Sequence, residues 1–431
     1  MIHHGDLFDV LPTLEAHSID ACVTDPPYGI GFMGKEWDTF KPGVEAARIV
    51  PNRAKDSENP NLKGRTRGPA SSPSAVEYDR SLKGQREFQG WTEHWARDVL
   101  RVLKPGAHIV VCGAPRSYHR MACAIEDAGF VVRDGLSWLY GQGFPKSLNL
   151  GDGRGTALKP SWEPIVLAWK PFKGSITANI SQFGTGALNI DACRIPFHGP
   201  EDAAAAAAAQ RTSHVGLNNT STFARTGDVQ TSIDGYIGRM ALGRWPTNAM
   251  LDEEAAAMLD EQSGELVSGA FDCARNEDGP NRAVYGGFPS GTPASEDSPY
   301  RGSVGGASRF YYVAKPSREE RDYGTESIAA RQRDESRKAG NPGGDNPRNR
   351  GLQPRGNFHP TVKPVELMRW LVKLITPIGG TVLDPFTGSG TTGMACRYEL
   401  REFVGIEREA EYVQIAEARI AAVAPLFAQT V

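Results

Sequence analysis

The chain has 431 residues, enough for two or three domains or for one large domain with an insertion. With 39% hydrophobic and 23% charged residues it reads as a soluble globular protein, and no apolar run is long enough to span a membrane. A net charge of −3 does not announce a nucleic-acid binder, whose affinity rests on neutralising phosphates, yet it leaves room for a local basic face.

The opening MIHHGDLFDVLPTL lacks the basic and apolar regions of a signal peptide. Leu7, Val10, Leu11 and Leu14 have the spacing of a short amphipathic helix, with Asp6 as its N-cap. Ile19 to Thr24 reads as a short buried strand that stops at Asp25-Pro26-Pro27-Tyr28. Two prolines in a row fix φ twice and remove two N–H donors, so this is a rigid exit from the strand. Residues 41–90 lose all periodicity and predict a long mobile loop, with Lys63, Arg65 and Arg67 as its basic residues. Trp91, Trp95, Val99 and Leu103 then recur every four residues and predict a helix whose aromatic face packs into the core. Lys104-Pro105-Gly106 is expected to end it, and Ala107 to Cys112 to follow as a strand. A second unit pairs a helix over Tyr118 to Ala128 with an extended run from Phe130 to Leu139, and Ile165 to Trp169 is one more strand.

Residues 173–354 differ, with an alanine tract from Ala203 to Ala209, many Gly, Ser and Thr, and few clear periods; the segment is expected to be partly disordered. Regularity returns with a helix over Val365 to Thr376, a strand over Thr381 to Asp384, the turn PFTGSGTTG, a helix, and a strand over Phe403 to Glu407 before a last helix. Strand and helix signals alternating at both ends predict one mostly parallel α/β sheet built from the two termini and interrupted by the middle. Gly388 and Gly390 let backbone approach a ligand at the carboxyl end of a strand. The turn is neither GxGxxG nor a P-loop, so it does not read as a phosphate cradle. Glu407 ends the next strand, where a carboxylate suits ribose hydroxyls. The cysteines Cys22, Cys112, Cys123, Cys193, Cys273 and Cys396 contain no CxxC pair, so no metal is expected and a reducing cytoplasm fits.

Four pieces in this order, TDPPYG, LKPGA, HPTVKP and DPFTGSGT, resemble the amino-directed DNA methyltransferases, and their order resembles the β class with its N6-adenine and N4-cytosine enzymes. The resemblance covers residues 1–172 and 355–431 and implies an α/β, Rossmann-like methyltransferase fold with permuted motifs, S-adenosylmethionine as cofactor and double-stranded DNA as substrate. It implies a catalytic domain in two parts, with residues 173–354 as an inserted target-recognition region. Carried over by motif, Asp25, Pro26, Pro27 and Tyr28 are the catalytic residues. Asp384, Pro385, Phe386, Gly388, Ser389, Gly390 and Thr391 form the cofactor loop, and Glu407 is the ribose acid. His359, Pro360, Thr361 and Lys363 flank the cofactor's methionine end. Asp6 resembles the acid near its adenine, a reading equal in weight to the N-cap.

An exocyclic amino nitrogen is a poor nucleophile because its lone pair is spread into the ring. Asp25 and the Pro26 carbonyl can each accept one amino hydrogen and localise that pair, while Tyr28 offers a face to a base flipped out of the duplex. Asp at the first motif position favours N6-adenine, and N4-cytosine stays open. C5 methylation is disfavoured because no cysteine lies in a Pro-Cys loop. RNA or other amino substrates, and an inactive DNA-binding relative, remain more remote alternatives. Arg194, Arg225, Arg239, Arg244, Arg301 and Arg309 are candidate DNA contacts, each weighed against a plain surface charge. A homodimer is one expected state, since β-class relatives are often dimers.

Overall fold

The computed structural model describes residues 1–29, 81–141, 143, 149–200, 202–203, 243–267, 304–314, 319–331 and 354–423. These fall into two compact units, one of 1–189, 248–252 and 314–431, the other of 190–247 and 253–313. The first unit thus reaches beyond both sequence-predicted bounds of the middle region. Lys63, Arg65, Arg67, Arg225, Arg239, Arg301 and most of the alanine tract lie outside the described residues.

Elements of the first unit are numbered in chain order. The strands of its main sheet are β1 (Ile2–His4), β2 (Ile19–Thr24), β3 (Leu103–Cys112), β4 (Val131–Leu139), β5 (Trp162–Trp169), β6 (Ala249–Asp252), β7 (Thr381–Asp384) and β8 (Glu402–Glu407). They lie in the order β1-β8-β7-β2-β3-β5-β4-β6. All pairs are parallel except those of β5, which runs against both β3 and β4. The fold is therefore an α/β, mostly parallel sheet, and its β2–β7 pair joins strands from the two ends of the chain.

The helices are α1 (Leu7–Val10), α2 (Leu82–Val102), α3 (Tyr118–Asp127), α4 (Ile176–Phe183), α5 (Val365–Ile375), α6 (Thr391–Tyr398) and α7 (Ala410–Ala422). Helix α2 corrects the expected loop at its end: residues 82–90 are helical. Ser81 caps the first turn through Gly84 N, and Phe88 extends the stripe of Trp91 and Trp95 one turn earlier. Lys104, Pro105 and Gly106 belong to β3 rather than to a turn before it. The register slips between Ile19–Leu103 and Ala21–His108, and this bulge, with Gly106 at φ +76°, absorbs the proline.

One face of the sheet presents Cys22, Ile109, Val111, Val166, Ala168, Leu383 and Ile406 to α2 and α3. The alternate residues, Val110 among them, point the other way. There α5 packs on β2 and β3 with Met368, Trp370 and Leu371 buried. Burial on both faces explains why the central strands are apolar throughout instead of alternating.

The second unit holds the helix Glu253–Ser263, the antiparallel pair Leu266–Val267 with Val304–Gly305, and a bridge between Ile195 and Arg244. Its three described candidate DNA arginines are turned inward. Arg194 bonds Asp191 at 2.8 Å and the Gly243 carbonyl at 3.1 Å, Arg244 pairs with Asp202, and Arg309 donates to the carbonyls of Gly306 and Leu266. Arg194 and Arg309 are buried, so these three side chains serve the unit's own fold and not an open surface.

Trp95 is fully buried, its ring 5.4 Å from Phe386 and 6.3 Å from Trp91. Trp95→Ala is expected to cost about 3–5 kcal/mol of unfolding free energy. Urea denaturation measures this, and a loss within error of zero would contradict the packing.

Candidate active site

Four neighbouring parallel strands end in, or just before, a carboxylate. Asp6 follows β1, Glu407 closes β8, Asp384 closes β7, and Asp25 follows β2. Open α/β sheets bind ligands at this edge.

The glycine-rich turn joins β7 to α6. Gly388 and Gly390 have φ of +53° and +79°, where an L side chain is strained. A Cβ on Gly390 would stand 2.8 Å from the Ala416 Cα, and one on Gly388 would stand 3.0 Å from His359 Nε2. Glycine at both points lets the turn lie flat against α7 and the HPTVKP segment. Gly388 N donates to Glu407 Oε2 at 2.8 Å, and Glu409 N donates to Oε1 at 2.9 Å. Phe386 packs on Trp91 and Trp95, and Pro385 is buried beside it. Ser389 and Thr391 are buried too. Arg419, itself fully buried, donates to Ser389 O at 2.6 Å and Oγ at 3.0 Å, and to Thr391 Oγ1 at 3.2 Å.

Asp384 accepts from Thr24 Oγ1 at 2.7 Å and from Phe386 N at 3.1 Å. Burial pushes its pKa up to about 6 against the pull of these bonds and one from Thr392. Burial likewise pushes Glu407 up to about 7 against its two N–H donors. A buried carboxylate with two backbone donors retains lone pairs for two hydroxyls, which fits a ribose.

Asp25, Pro26, Pro27 and Tyr28 follow Thr24 directly, so the same Thr24–Asp384 bond joins the DPPY and DPFTGSGT motifs. Tyr28 Oη donates to Asp25 Oδ1 at 2.6 Å, and Ser117 Oγ donates to the Tyr28 carbonyl at 2.7 Å. Lys363 Nζ lies 2.6 Å from Tyr28 Oη, 3.1 Å from Asp25 Oδ2 and 2.9 Å from Glu163 Oε2. Burial acts to lower the lysine pKa, but the charges of Asp25 and Glu163 outweigh it and hold it well above its ordinary value. Tyr28 is raised by burial first and by Asp25 second, so its hydroxyl keeps its proton.

The HPTVKP segment touches both motifs. His359 stands over Gly388, with its ring 4.5 Å from that of Tyr412 and its Nδ1 against the Thr361 carbonyl. Pro360 is buried and Thr361 exposed. Four residues after His359, Lys363 reaches the Asp25 cluster rather than the glycine turn. Asp6 is an N-cap, accepting from Phe8 N at 2.9 Å; the preceding Gly5 N donates to the Glu407 carbonyl at 3.0 Å.

Sequence reading missed Glu163, Ser117, Thr24 and Arg419. Glu163 carried a signal in being the one carboxylate in the otherwise apolar strand WEPIVLAW. Ser117 and Arg419 carried none, since their roles depend on tertiary neighbours.

The sheet and its acid-lined edge define an α/β ligand-binding protein of the Rossmann-like class. A family model for N6 and N4 methyltransferases, described as DNA methylase, matches residues 19–418, and the chain belongs to that family. Over 206 residues it is 28% identical to the type II methyltransferase M.HindIII of Haemophilus influenzae, covering 44% of this chain and 64% of that one. Over 64 residues it is 45% identical to the type II methyltransferase M2.DpnII of Streptococcus pneumoniae, covering 15% of this chain and 24% of the relative. Each match spans less than two thirds of the relative's length. Among solved structures, the cytosine-N4-specific PvuII DNA methyltransferase aligns at a TM-score of 0.43 and 13% identity, over 97% of this chain and 85% of that one.

Because Glu407 is raised above its ordinary 4.5 to about 7, the folded chain holds a proton there that the unfolded chain releases. Stability therefore falls as pH rises between about 4.5 and about 7. The urea midpoint is expected to decline across this window, and to decline less in Glu407→Gln, which cannot titrate. Equal slopes in the two proteins would count against the buried, raised carboxylate.

Proposed function

We propose that the protein transfers a methyl group from S-adenosylmethionine to the N6 amino group of a flipped-out adenine in double-stranded DNA. The observation that carries this reading is the Thr24–Asp384 bond, which holds an amino-group acceptor and a glycine-rich ligand turn side by side at one sheet edge. Bound along Gly388 to Thr391, the cofactor supplies an activated methyl group on a sulfonium.

The chain's own residues do the rest. Glu407 holds the ribose hydroxyls, and the backbone of the turn follows the cofactor. Asp25 accepts one amino hydrogen and the Pro26 carbonyl the other, which draws the nitrogen lone pair out of the ring and toward the methyl group. Pro27 keeps the two acceptors in fixed geometry. Tyr28, with its hydroxyl held by Asp25 and Lys363, presents a fixed ring face to the base, a contact worth about 1–3 kcal/mol. As the N–C bond forms and the S–C bond breaks, the nitrogen sheds one proton, and Asp25 is the acceptor in reach. The choice of adenine rests on Asp at the first position of the DPPY motif. Residues 190–313 are the proposed source of sequence recognition, and the reaction belongs to the cytoplasm of a bacterial or phage-infected cell.

Expression in a methylation-free host, followed by sequencing that separates N6-methyladenine from N4-methylcytosine, tests this directly. N6-methyladenine at a fixed sequence is expected, with loss of at least about 100-fold in Asp25→Ala. N4-methylcytosine would replace adenine as the target. An unmodified genome, or full modification by Asp25→Ala, would overturn the reading.

A further inference from the structure

The contacts of Lys363 pose a question that amino-group methylation alone does not answer. Lys363 Nζ donates a hydrogen bond to Tyr28 Oη and forms ion pairs with Asp25 Oδ2 and Glu163 Oε2. Only 11% of the lysine side chain is exposed, and 20% and 23% of the two carboxylates. Two anions therefore share one cation away from bulk water, where charges act strongly on one another. Asp25 needs lone pairs for the amino group. A lysine given wholly to Asp25 would neutralise it and weaken it as an acceptor. A lysine held by a second carboxylate still aligns Asp25 and Tyr28 but leaves the cluster with net negative charge.

Glu163 is available for this because β5 is reversed. Its second residue lies at the same edge as the residues that follow β2 and β7, for Ile165 pairs with Cys112 at the carboxyl end of β3. The other groups acting on the cluster are the buried Asp384 from β7, the Cys112 thiol from β3, and Tyr140 just beyond β4. The thiol and the phenol are neutral near pH 7. Glu163 is then the carboxylate that directly contacts Lys363 beside Asp25.

We propose that Glu163 is a positioning residue for methyl transfer: it takes a share of Lys363 and so leaves Asp25 a strong acceptor for the amino hydrogen. This rests on the methyl-transfer reading above. The test is the pH profile of the single-turnover methylation rate, at saturating DNA and cofactor, in wild type, Glu163→Gln and Lys363→Met. Removing a negative charge from the cluster disfavours its protonation, so the acid limb of Glu163→Gln moves to lower pH by about one unit, with a plateau about tenfold below wild type. Removing the positive charge moves the limb of Lys363→Met to higher pH. Dissociation constants for DNA and cofactor stay within about twofold in Glu163→Gln.

Limbs that stay put, or that move the same way in both variants, overturn the inference. So does a weaker cofactor Kd with an unchanged rate, which would make Glu163 and Lys363 part of the cofactor seat. If the Gln variant does not fold, Lys363→Met and Glu163→Asp decide. The first moves the limb up, the second keeps the limb and loses plateau, and any other pattern overturns the proposal. A wild type that methylates no DNA overturns the underlying reading and this inference with it, whereas an active wild type with unmoved limbs overturns the inference alone.

Discussion

The molecule hangs on the parallel pairing of β2 with β7. Ala21 lies beside Val382 and Cys22 beside Leu383, residues some 360 positions apart in the chain, and Thr24 closes the pair by bonding Asp384. A buried carboxylate is costly unless hydrogen bonds replace its water. Asp384 finds them in Thr24 and in its own turn, so the junction is satisfied only when the two ends are in register. From that junction β3 extends the sheet one way and β8 and β1 the other, and the carboxylates come to share one edge. Their mutual repulsion is met in two ways: Asp384 and Glu407 are pushed toward neutrality by burial, and Asp25 is given Lys363.

Much of this frame is legible in the sequence. Ile19–Thr24 and Thr381–Asp384 have the bounds their apolar runs predicted, because strands buried on both faces are marked by composition alone. The glycines at 388 and 390 were legible for a different reason: only glycine fits a left-handed turn packed against a helix. The start of α2 was not legible. Its first turn, Leu82 to Gln85, has no apolar periodicity and its Leu82 is exposed, and Phe88 was too isolated in the sequence to extend the stripe. Nor was the role of the inward arginines, since an arginine on a carboxylate three or forty residues away reads the same in sequence as one in water.

The HPTVKP segment explains how two motifs are kept in one geometry. His359 presses on the glycine turn and Lys363 grips the DPPY cluster, with Pro360 and Pro364 stiffening the stretch between. The register of the DPPY motif and the glycine turn is therefore fixed twice, once by the strand pair beneath and once by this strap above. Arg419 and the aromatic trio of Trp91, Trp95 and Phe386 brace the turn from its other sides.

The reversal of β5 constrains how this protein can vary. A parallel strand offers the edge what comes after it; a reversed strand offers what comes before. The chain thus enters β5 at Trp162 on the carboxylate-lined edge. Strand side chains alternate with a period of two, so a slip of one residue in β5 would turn Glu163 to the other face of the sheet and bring Trp162 or Pro164 in its place. Length changes between Leu139 and Trp162 are tolerable only where they leave that register unmoved.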